Sequence, residues 1–188
     1  MYQYIFCIGI CTLLWIINGR WLIHSIKKNI TSETYIHAGL GTFLSLLTFE
    51  LTLGIYYMWI RFDILFLKIV GFILYVPSAY LVIAALLTLK HKGQSHNADF
   101  TETTVFIDTG IYKFIRQPLT LGLTIWSIAL ILVFQSIFAI ILGIFSMICF
   151  RMSAIKEAEY NIKKFGDDYK RYIDSVPIWN IFKGLKQD

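Results

Sequence analysis

The sequence predicts an all-α membrane protein: a polytopic helical bundle of about five transmembrane helices with a cytoplasmic amphipathic C-terminal helix. Of its 188 residues, 57% are hydrophobic and only 15% are charged, and the mean hydropathy is +0.64. A water-soluble domain of this length cannot bury so much apolar surface in one core. The apolar residues also form uninterrupted runs of about 20 residues, which match a hydrocarbon core of about 30 Å. We therefore expect the surplus apolar surface to face lipid.

The first three apolar runs predict three membrane helices. They extend over residues 2–17, 37–59 and 64–89. The first run does not have the charge order of a signal peptide, because basic residues follow it and none precedes it. The second and third are joined by a link so short that we expect their helices to be antiparallel neighbours. A polar loop over about residues 90–104 comes next, and loops of that length in compact proteins are usually functional or mobile.

A fourth apolar run is too long for one membrane helix. It covers residues 119–150, and at 1.5 Å per residue a single helix of that length would exceed the bilayer core unless strongly tilted. Gln135 and Ser136 interrupt it near its middle, and Pro118 stands near its start, where a helix tolerates proline. The run therefore predicts a tight hairpin of helices 4 and 5 that turns at Gln135 and Ser136.

The tail predicts an amphipathic helix that lies on the bundle or on the membrane. Between Ile155 and Val176, apolar residues recur at intervals of three and four, opposite a basic face. We expect Gly166 to divide this helix and Pro177 to end it. Three residues beyond it are expected to anchor the tail at the membrane interface: Ile178, Trp179 and Phe182.

Basic residues are distributed unevenly between the predicted loops. Three lie in residues 19–36, four in 89–117 and eight in 151–188, whereas Arg61 is the one basic residue of a loop on the other side. Because basic loops remain in the cytoplasm, we expect the N-terminus outside and the C-terminus in the cytoplasm. The formal charge of +5 then indicates membrane lipids, and not nucleic acid, as the electrostatic partner.

Glu50 is the most conspicuous charge inside a predicted span. A carboxylate there costs roughly 2.5–3.5 kcal/mol on insertion scales, so it needs a partner, a cavity or a proton. We expect Lys68, on the next helix, to be this partner in a structural pair. No metal site is expected, because the three cysteines lie inside apolar runs and no two histidines are four residues apart.

Polar residues are concentrated at the two ends of the predicted hairpin. Residues 108–118 precede it with the sequence Asp-Thr-Gly-Ile-Tyr-Lys-Phe-Ile-Arg-Gln-Pro, and residues 156–159 follow it with Lys-Glu-Ala-Glu. The hairpin brings these ends together, so that a turn glycine, an arginine and carboxylates could form a pocket open to both cytosol and lipid. On spacing alone, Lys113 and Arg116 could equally serve only as anchors of the helix end.

These segments resemble the motifs of the isoprenylcysteine carboxyl methyltransferases and related phospholipid methyltransferases. Residues 110–122 resemble the family pattern Gly-Pro-Tyr-Arg-x-x-Arg-His-Pro-Met-Tyr-x-Gly. The family's ending, with Glu-Glu, Phe-Gly-x-x-Tyr-x-x-Tyr and Val-Pro, is matched by Glu157, Phe165-Gly166, Tyr169, Tyr172 and Val176-Pro177. The resemblance spans about residues 104–178. It implies a bundle that binds S-adenosylmethionine near its cytoplasmic face and takes a lipophilic, for example prenylated, acceptor from the bilayer.

The resemblance also implies roles for individual residues and a division of the chain. Arg116, Gln117 and Glu157 would be catalytic, with Arg116 holding a carboxylate of cofactor or substrate and Glu157 accepting hydrogen bonds from the cofactor. The cofactor-binding residues would be Gly110, Ile111, Tyr112, Arg116, Gln117, Pro118, Gly122, Glu157 and Tyr169. Within one structural domain, residues 1–100 would supply helices 1–3 and the polar loop. Residues 101–188 would supply the cofactor-binding motif, the hairpin and the tail.

Three positions depart from the family pattern and leave alternatives open. Gln117 replaces a histidine, Thr120 a tyrosine and Ala158 the second glutamate. A glutamine cannot titrate as a base; a carboxylate acceptor needs none, whereas an ammonium acceptor must first lose a proton. The acceptor therefore stays open between a prenylcysteine carboxylate, a lipid amine and a small hydrophobic thiol. A sterol-reductase-like enzyme that uses a nicotinamide cofactor and a non-catalytic lipid- or partner-binding relative are the alternatives.

Overall fold

The computed structural model describes residues 2–54, 59–92 and 107–180, and these residues are mostly helical. A 3₁₀ turn, Gly110–Lys113, precedes the fourth of six α-helices. The helices are α1 (Tyr2–Lys27), α2 (Thr31–Thr52), α3 (Leu65–Lys92), α4 (Pro118–Phe134), α5 (Ile137–Phe165) and α6 (Asp167–Ser175). The described ranges contain no strand, only an isolated bridge between Arg61 and Ser136. The all-α prediction is confirmed.

Among the described residues, three helices are long and apolar enough to cross a membrane: α1, α3 and α5. Helix α4 is apolar but has only 17 residues, and the 22 residues of α2 include two glutamates and several hydroxyl side chains. Large apolar side chains on the three long helices are more than half exposed, as expected of a surface in contact with lipid; examples are Ile5, Phe72 and Ile141.

The helices pack side by side in the spatial order α1, α2, α5, α4, α3. The main apolar core lies where α2, α4 and α5 meet, around Phe43, Leu123 and Phe150. Gly39 permits the close approach of α2 to α5, because a Cβ atom there would lie 2.8 Å from the Phe150 ring. The expectation that α2 and α3 are neighbours is wrong, since α5 and α4 lie between them.

In the linker from α2 to α3, the described residues 61–64 lie against the turn between α4 and α5. This turn confirms the predicted hairpin: Gln135 ends α4 in the left-handed region, with φ 52°, and the Ser136 hydroxyl caps α5 by accepting the Ala139 amide at 2.9 Å. The Phe62 amide donates to the Gln135 carbonyl at 3.3 Å. The Gln135 side chain also bonds the Ile64 amide and carbonyl, at 2.8 and 2.9 Å. The linker therefore holds the turn in place.

Glu50 is fully buried, and its partner is Arg61 and not Lys68. The Arg61 guanidinium donates to one carboxylate oxygen of Glu50 at 2.6 Å, and the Ser136 hydroxyl donates to the other. Lys68 pairs instead with Asp63 near the surface. The prediction of Lys68 was wrong because the hairpin separates α2 from α3, so that the crossing linker is the element that brings a cation to Glu50.

The tail is less separate from the membrane region than expected. Helix α5 runs without a break to Phe165, so the first half of the predicted tail helix is a continuation of α5. Gly166, with φ 63°, divides α5 from α6 as predicted, and Pro177 follows soon after α6 ends. The buried face of α6 carries Tyr169 and Tyr172.

Several helix ends differ from the predicted limits. Helix α1 continues ten residues beyond its predicted end, and α3 continues through the first residues of the predicted polar loop. The rest of that loop and the proposed anchor Phe182 lie outside the described residues.

Loss of the Arg61 side chain is expected to destabilise the protein far more than loss of Lys68. The Arg61→Ala variant leaves Glu50 buried without a countercharge, which costs about 3–5 kcal/mol, whereas a surface pair such as Lys68 with Asp63 contributes roughly 1 kcal/mol or less. Thermal unfolding in detergent, followed by circular dichroism, measures the difference. Equal melting temperatures for Arg61→Ala and Lys68→Ala would contradict this account of Glu50.

Candidate functional site

A cleft of about 130 Å³ lies at the end of the bundle opposite to Glu50 and Arg61. Its wall combines the first turns of α2 and α4, the last three turns of α5 and the buried face of α6. Apolar side chains from α2, α3 and α4 form one part of it: Ile30, Ile36, Leu89 and Leu119. Polar side chains form another part, among them Glu33, Tyr112, Arg116, Gln117, Glu157, Asn161, Tyr169 and Tyr172. The cleft therefore offers both an apolar and a polar surface.

The hairpin brings Arg116 and Glu157 to this cleft. Arg116 comes just before α4, and Glu157 lies five turns into α5, which returns antiparallel to α4 over a similar length. The Glu157 carboxylate accepts hydrogen bonds from the side chains of Gln117 and Asn161. Asn161 is one turn beyond Glu157 on the same face of α5. The carboxylate is thus held between the start of α4 and the end of α5.

Arg116 carries an unsatisfied donor at the cleft wall. Its side chain is half-buried, and within the described part of the chain its buried Nε–H has no hydrogen-bond acceptor. Burial lowers the pKa of the guanidinium, and the neighbouring hydroxyl groups of Tyr169 and Tyr172 partly offset this effect. An arginine nevertheless remains charged at neutral pH. A buried donor without an acceptor is unfavourable, so an anionic ligand group would be stabilised here.

Three tyrosines complete the polar wall. The Tyr172 hydroxyl donates to the Tyr112 carbonyl oxygen at 2.5 Å, and the Asn161 amide donates to the Tyr169 hydroxyl at 3.4 Å. Burial raises the pKa of the Tyr112, Tyr169 and Tyr172 hydroxyls above the ordinary value. They therefore stay neutral at physiological pH and can donate hydrogen bonds, but they cannot serve as bases there.

The segment after α6 fixes the backbone of the Arg116 motif. The Arg116 amide donates to the Pro177 carbonyl at 3.1 Å. The next amide, that of Gln117, donates to the Ile178 carbonyl at 3.4 Å. The indole N–H of Trp179 donates to the Thr120 hydroxyl at 3.2 Å. The Arg151 guanidinium lies over its ring, 4.7 Å from the centroid. Thr120, which replaces a tyrosine of the family pattern, therefore accepts a hydrogen bond from the tail.

Five of the nine residues proposed from the motif line the cleft: Tyr112, Arg116, Gln117, Glu157 and Tyr169.

The other four proposed residues do not line the cleft but determine the local structure around it. Gly110 starts the 3₁₀ turn with φ 64°, Ile111 packs into an apolar cluster with Ile115, and Pro118 is buried as the first residue of α4. Gly122 faces α3, where a Cβ atom would lie 2.8 Å from Val82 and 3.1 Å from the Ser78 carbonyl. Its role is therefore the close approach of two helices.

Glu33 and Asn161 are among the polar residues of the cleft that sequence reasoning missed. The signal for Asn161 was present, since it follows Glu157 by four residues on one helix. Glu33 left no such signal. It lies in the part of the chain where the sequence shows only hydrophobic helices, and its position in the cleft depends on how α2 packs against α5.

Comparison with protein families agrees with this site. The family model of phospholipid methyltransferases matches residues 66–168, more than half of the chain. The chain belongs to the phospholipid methyltransferase family. The match confirms the resemblance, and it includes α3, the hairpin, Arg116 and Glu157 but neither α1 nor α2. Comparisons with curated proteins and with solved structures find no significant match. Members of the family are membrane methyltransferases of lipid-like substrates and generally use S-adenosylmethionine.

Loss of the Trp179 side chain should weaken the attachment of the tail to the start of α4, next to the cleft. Trp179→Ala removes a hydrogen bond of about 0.5–1.5 kcal/mol and a cation–π contact of about 0.5–2 kcal/mol. The open tail should therefore be cleaved by trypsin after Lys170 or Arg171 at least roughly fivefold faster. The control is Ser175→Ala, because among the described residues the Ser175 hydroxyl bonds the Tyr172 carbonyl of its own helix. Equal cleavage rates for both variants would show that Trp179 does not hold the tail.

Proposed function

We propose that this protein is an S-adenosylmethionine-dependent methyltransferase that acts on a lipophilic acceptor at the cytoplasmic end of the bundle. One observation carries the proposal. Arg116 and Glu157, at the two ends of the hairpin, line one cleft in which polar and apolar surfaces meet. The family match supplies the reaction class, and the cleft supplies a place where a soluble donor and a membrane-borne acceptor can meet.

The residues of the cleft fit the chemical groups of this cofactor. S-adenosylmethionine carries a carboxylate, an ammonium group, hydroxyls and an adenine amino group, and when bound it supplies a methyl group on a sulfonium. The unsatisfied Nε–H of Arg116 would bind the carboxylate. Glu157 would accept hydrogen bonds from hydroxyl or amino groups, and Tyr112 and Tyr169 would line the same site.

Gln117 acts in this proposal through Glu157. Its amide donates to the Glu157 carboxylate and holds it at the cleft. Because an amide does not titrate, Gln117 cannot accept a proton from the methyl acceptor. Tyr172 and the segment around Pro177 close the cytoplasmic side of the motif and would reduce the access of water to the reacting groups.

The apolar part of the wall would hold the acceptor. Ile30 lies just before α2, and Ile36, Leu89 and Leu119 come from three helices. An acceptor with a hydrocarbon chain would bury that chain against these side chains and place its polar end beside Arg116 and Glu157. A prenylcysteine carboxylate, a lipid amine and a small hydrophobic thiol all have this form.

The proposed topology has five crossings, with the N-terminus outside and the C-terminus and cleft in the cytoplasm. The distribution of charge supports it. Fifteen of the seventeen basic residues belong to the three sequence segments predicted to be cytoplasmic, 19–36, 89–117 and 151–188, whereas Arg61 lies at the end of the bundle opposite to the cleft. A cytoplasmic cleft would also be open to a soluble cofactor.

The purified protein should bind S-adenosylhomocysteine, and Arg116→Ala should weaken this binding at least tenfold. The loss of charge-assisted hydrogen bonds costs about 1.5–3 kcal/mol, and about 1.4 kcal/mol corresponds to a factor of ten. Isothermal titration calorimetry gives the dissociation constants. The control is Arg171→Ala, because Arg171 is 80% exposed and does not line the cleft. No detectable heat at high micromolar ligand, or equal binding by both variants, would count against the proposal and favour the non-catalytic alternative.

The topology predicts which positions are accessible from outside the cell. In a background with all three cysteines replaced by serine, Asp63→Cys should react with a membrane-impermeant maleimide in intact cells. Ser175→Cys should react only after lysis, because it lies beside the cytoplasmic cleft. Labelling of Ser175→Cys in intact cells would reverse the proposed orientation. Labelling of both positions from the same side would contradict the three crossings, α3, α4 and α5, that the proposal places between Asp63 and Ser175.

A further inference from the structure

A groove separate from the cleft lies on the exposed side of α1. It has a volume of about 530 Å³, and the described residues that line it all belong to α1: Ile16, Ile17, Arg20, Trp21 and His24. All five side chains are exposed, and none of them lines the cleft. Helix α1 also lies outside residues 66–168 that the family model matches. The family match therefore does not explain this groove.

Contacts with α2 hold the aromatic part of the groove in place. The Asn18 side-chain amide donates to the His37 carbonyl at 2.7 Å, and the Asn18 Oδ1 lies 3.0 Å from the His37 Nδ1. The Trp21 ring stacks on the His37 ring, with 6.3 Å between the centroids. The edge contact of Trp21 with His24 has a centroid distance of 6.4 Å. Trp21 and His24 are thereby positioned beside Arg20.

The groove changes from apolar to cationic towards the cleft end of the bundle. Ile16 and Ile17 form its apolar part, and Arg20 and His24 follow Ile16 by one and two turns on the same face of α1. Helix α1 ends at Lys27, and Arg20 lies about 10 Å before that end at 1.5 Å per residue. This order fits a phospholipid whose acyl chains lie along the isoleucines and whose phosphate reaches Arg20 and His24.

Arg20 has no countercharge among the described residues. Within residues 2–54, 59–92 and 107–180, none of the ion pairs includes Arg20. The sequence contains no acidic residue before Glu33, which lines the cleft and not this groove. A guanidinium at the edge of the hydrocarbon region is costly unless an anion accompanies it. A lipid phosphate would supply this anion, because arginine binds phosphate through two parallel hydrogen bonds.

We propose that the groove binds an anionic phospholipid of the leaflet at the cleft end of the bundle, with its phosphate on Arg20 and His24. Lys27 and Lys28 follow the groove, so the adjoining head-group region is basic. An anionic head group is attracted to such a region, whereas phosphatidylcholine would place its own ammonium group there. The net charge of the lipid therefore decides which phospholipid binds. This binding goes beyond the proposed methyl transfer and does not depend on it.

Native mass spectrometry of the protein in detergent tests the proposal. Titrations with dioleoylphosphatidylglycerol and dioleoylphosphatidylcholine, which share their acyl chains, give the dissociation constant of the first bound lipid. Wild-type protein should bind phosphatidylglycerol at least roughly tenfold more tightly. Arg20→Gln should weaken phosphatidylglycerol binding about tenfold and phosphatidylcholine binding less, because charge-assisted hydrogen bonds to the phosphate and attraction by the basic groove are lost. Arg20 is exposed, so the variant is expected to fold.

The matched control is Lys28→Gln. It removes the same charge from the same end of α1, but Lys28 does not line the groove. Phosphatidylglycerol binding should therefore weaken only roughly twofold. Equal losses in Lys28→Gln and Arg20→Gln would indicate general attraction to a basic surface and would overturn the site. Equal affinities of the wild-type protein for the two lipids would overturn it without any variant.

Two further outcomes would give the phosphate or the groove to something else. Arg116→Ala, which alters the cleft, should retain the wild-type affinity for phosphatidylglycerol. A tenfold loss in Arg116→Ala, with none in Arg20→Gln, would place the phosphate in the cleft and overturn the proposal. A dimer that Arg20→Gln dissociates, in protein without a preference for phosphatidylglycerol, would assign the groove to a second copy of the chain and overturn it as well.

Discussion

The turn between α4 and α5 is the constraint on which the site depends. Gln135 and Ser136 reverse the chain, and the register set there decides which residue of α5 lies beside the start of α4. A shift of one residue along α5 would rotate Glu157 by about 100° and move it away from Gln117. The buried Glu50 accepts the Ser136 hydroxyl and the Arg61 guanidinium, so the register is held at the far end of the bundle. A contact distant from the cleft thereby positions the groups within it.

In the described part of the cleft, one buried hydrogen-bond donor lacks a partner from the protein. Glu157 receives hydrogen bonds from Gln117 and Asn161, whereas Arg116 keeps a buried N–H without an acceptor in the described residues. In a poorly solvated site such a donor is unfavourable unless a ligand supplies the acceptor. The tail adds to this arrangement, because its backbone fixes Arg116 and its tyrosines cover the polar wall. Proteins retain unfavourable groups of this kind mainly at functional sites.

Local patterns explain which expectations were correct. The polar pair Gln135 and Ser136 within an apolar run predicts a turn because one helix of that length cannot fit the bilayer, and the structure has the turn there. Gly166 divides the tail because its backbone has a positive φ. Lys68 failed as the partner of Glu50 because nearness in sequence does not establish which helices are neighbours. The contacts of Trp179 with Thr120 and Arg151 were not predicted, because these partners lie far from it in the chain.

The sequence by itself determined the helical class, the apolar surface for lipid, the hairpin and the family, since each depends on composition, on period or on residues close together in the chain. Only the tertiary structure decided the spatial order of the helices, the pairing of Glu50 with Arg61 and the presence of Glu33 in the cleft. The physical reason is that apolar helices of similar length can pack in several orders with similar burial. The choice between these orders depends on specific contacts, such as the Ser153 bond to the first turn of α2, that no single segment encodes.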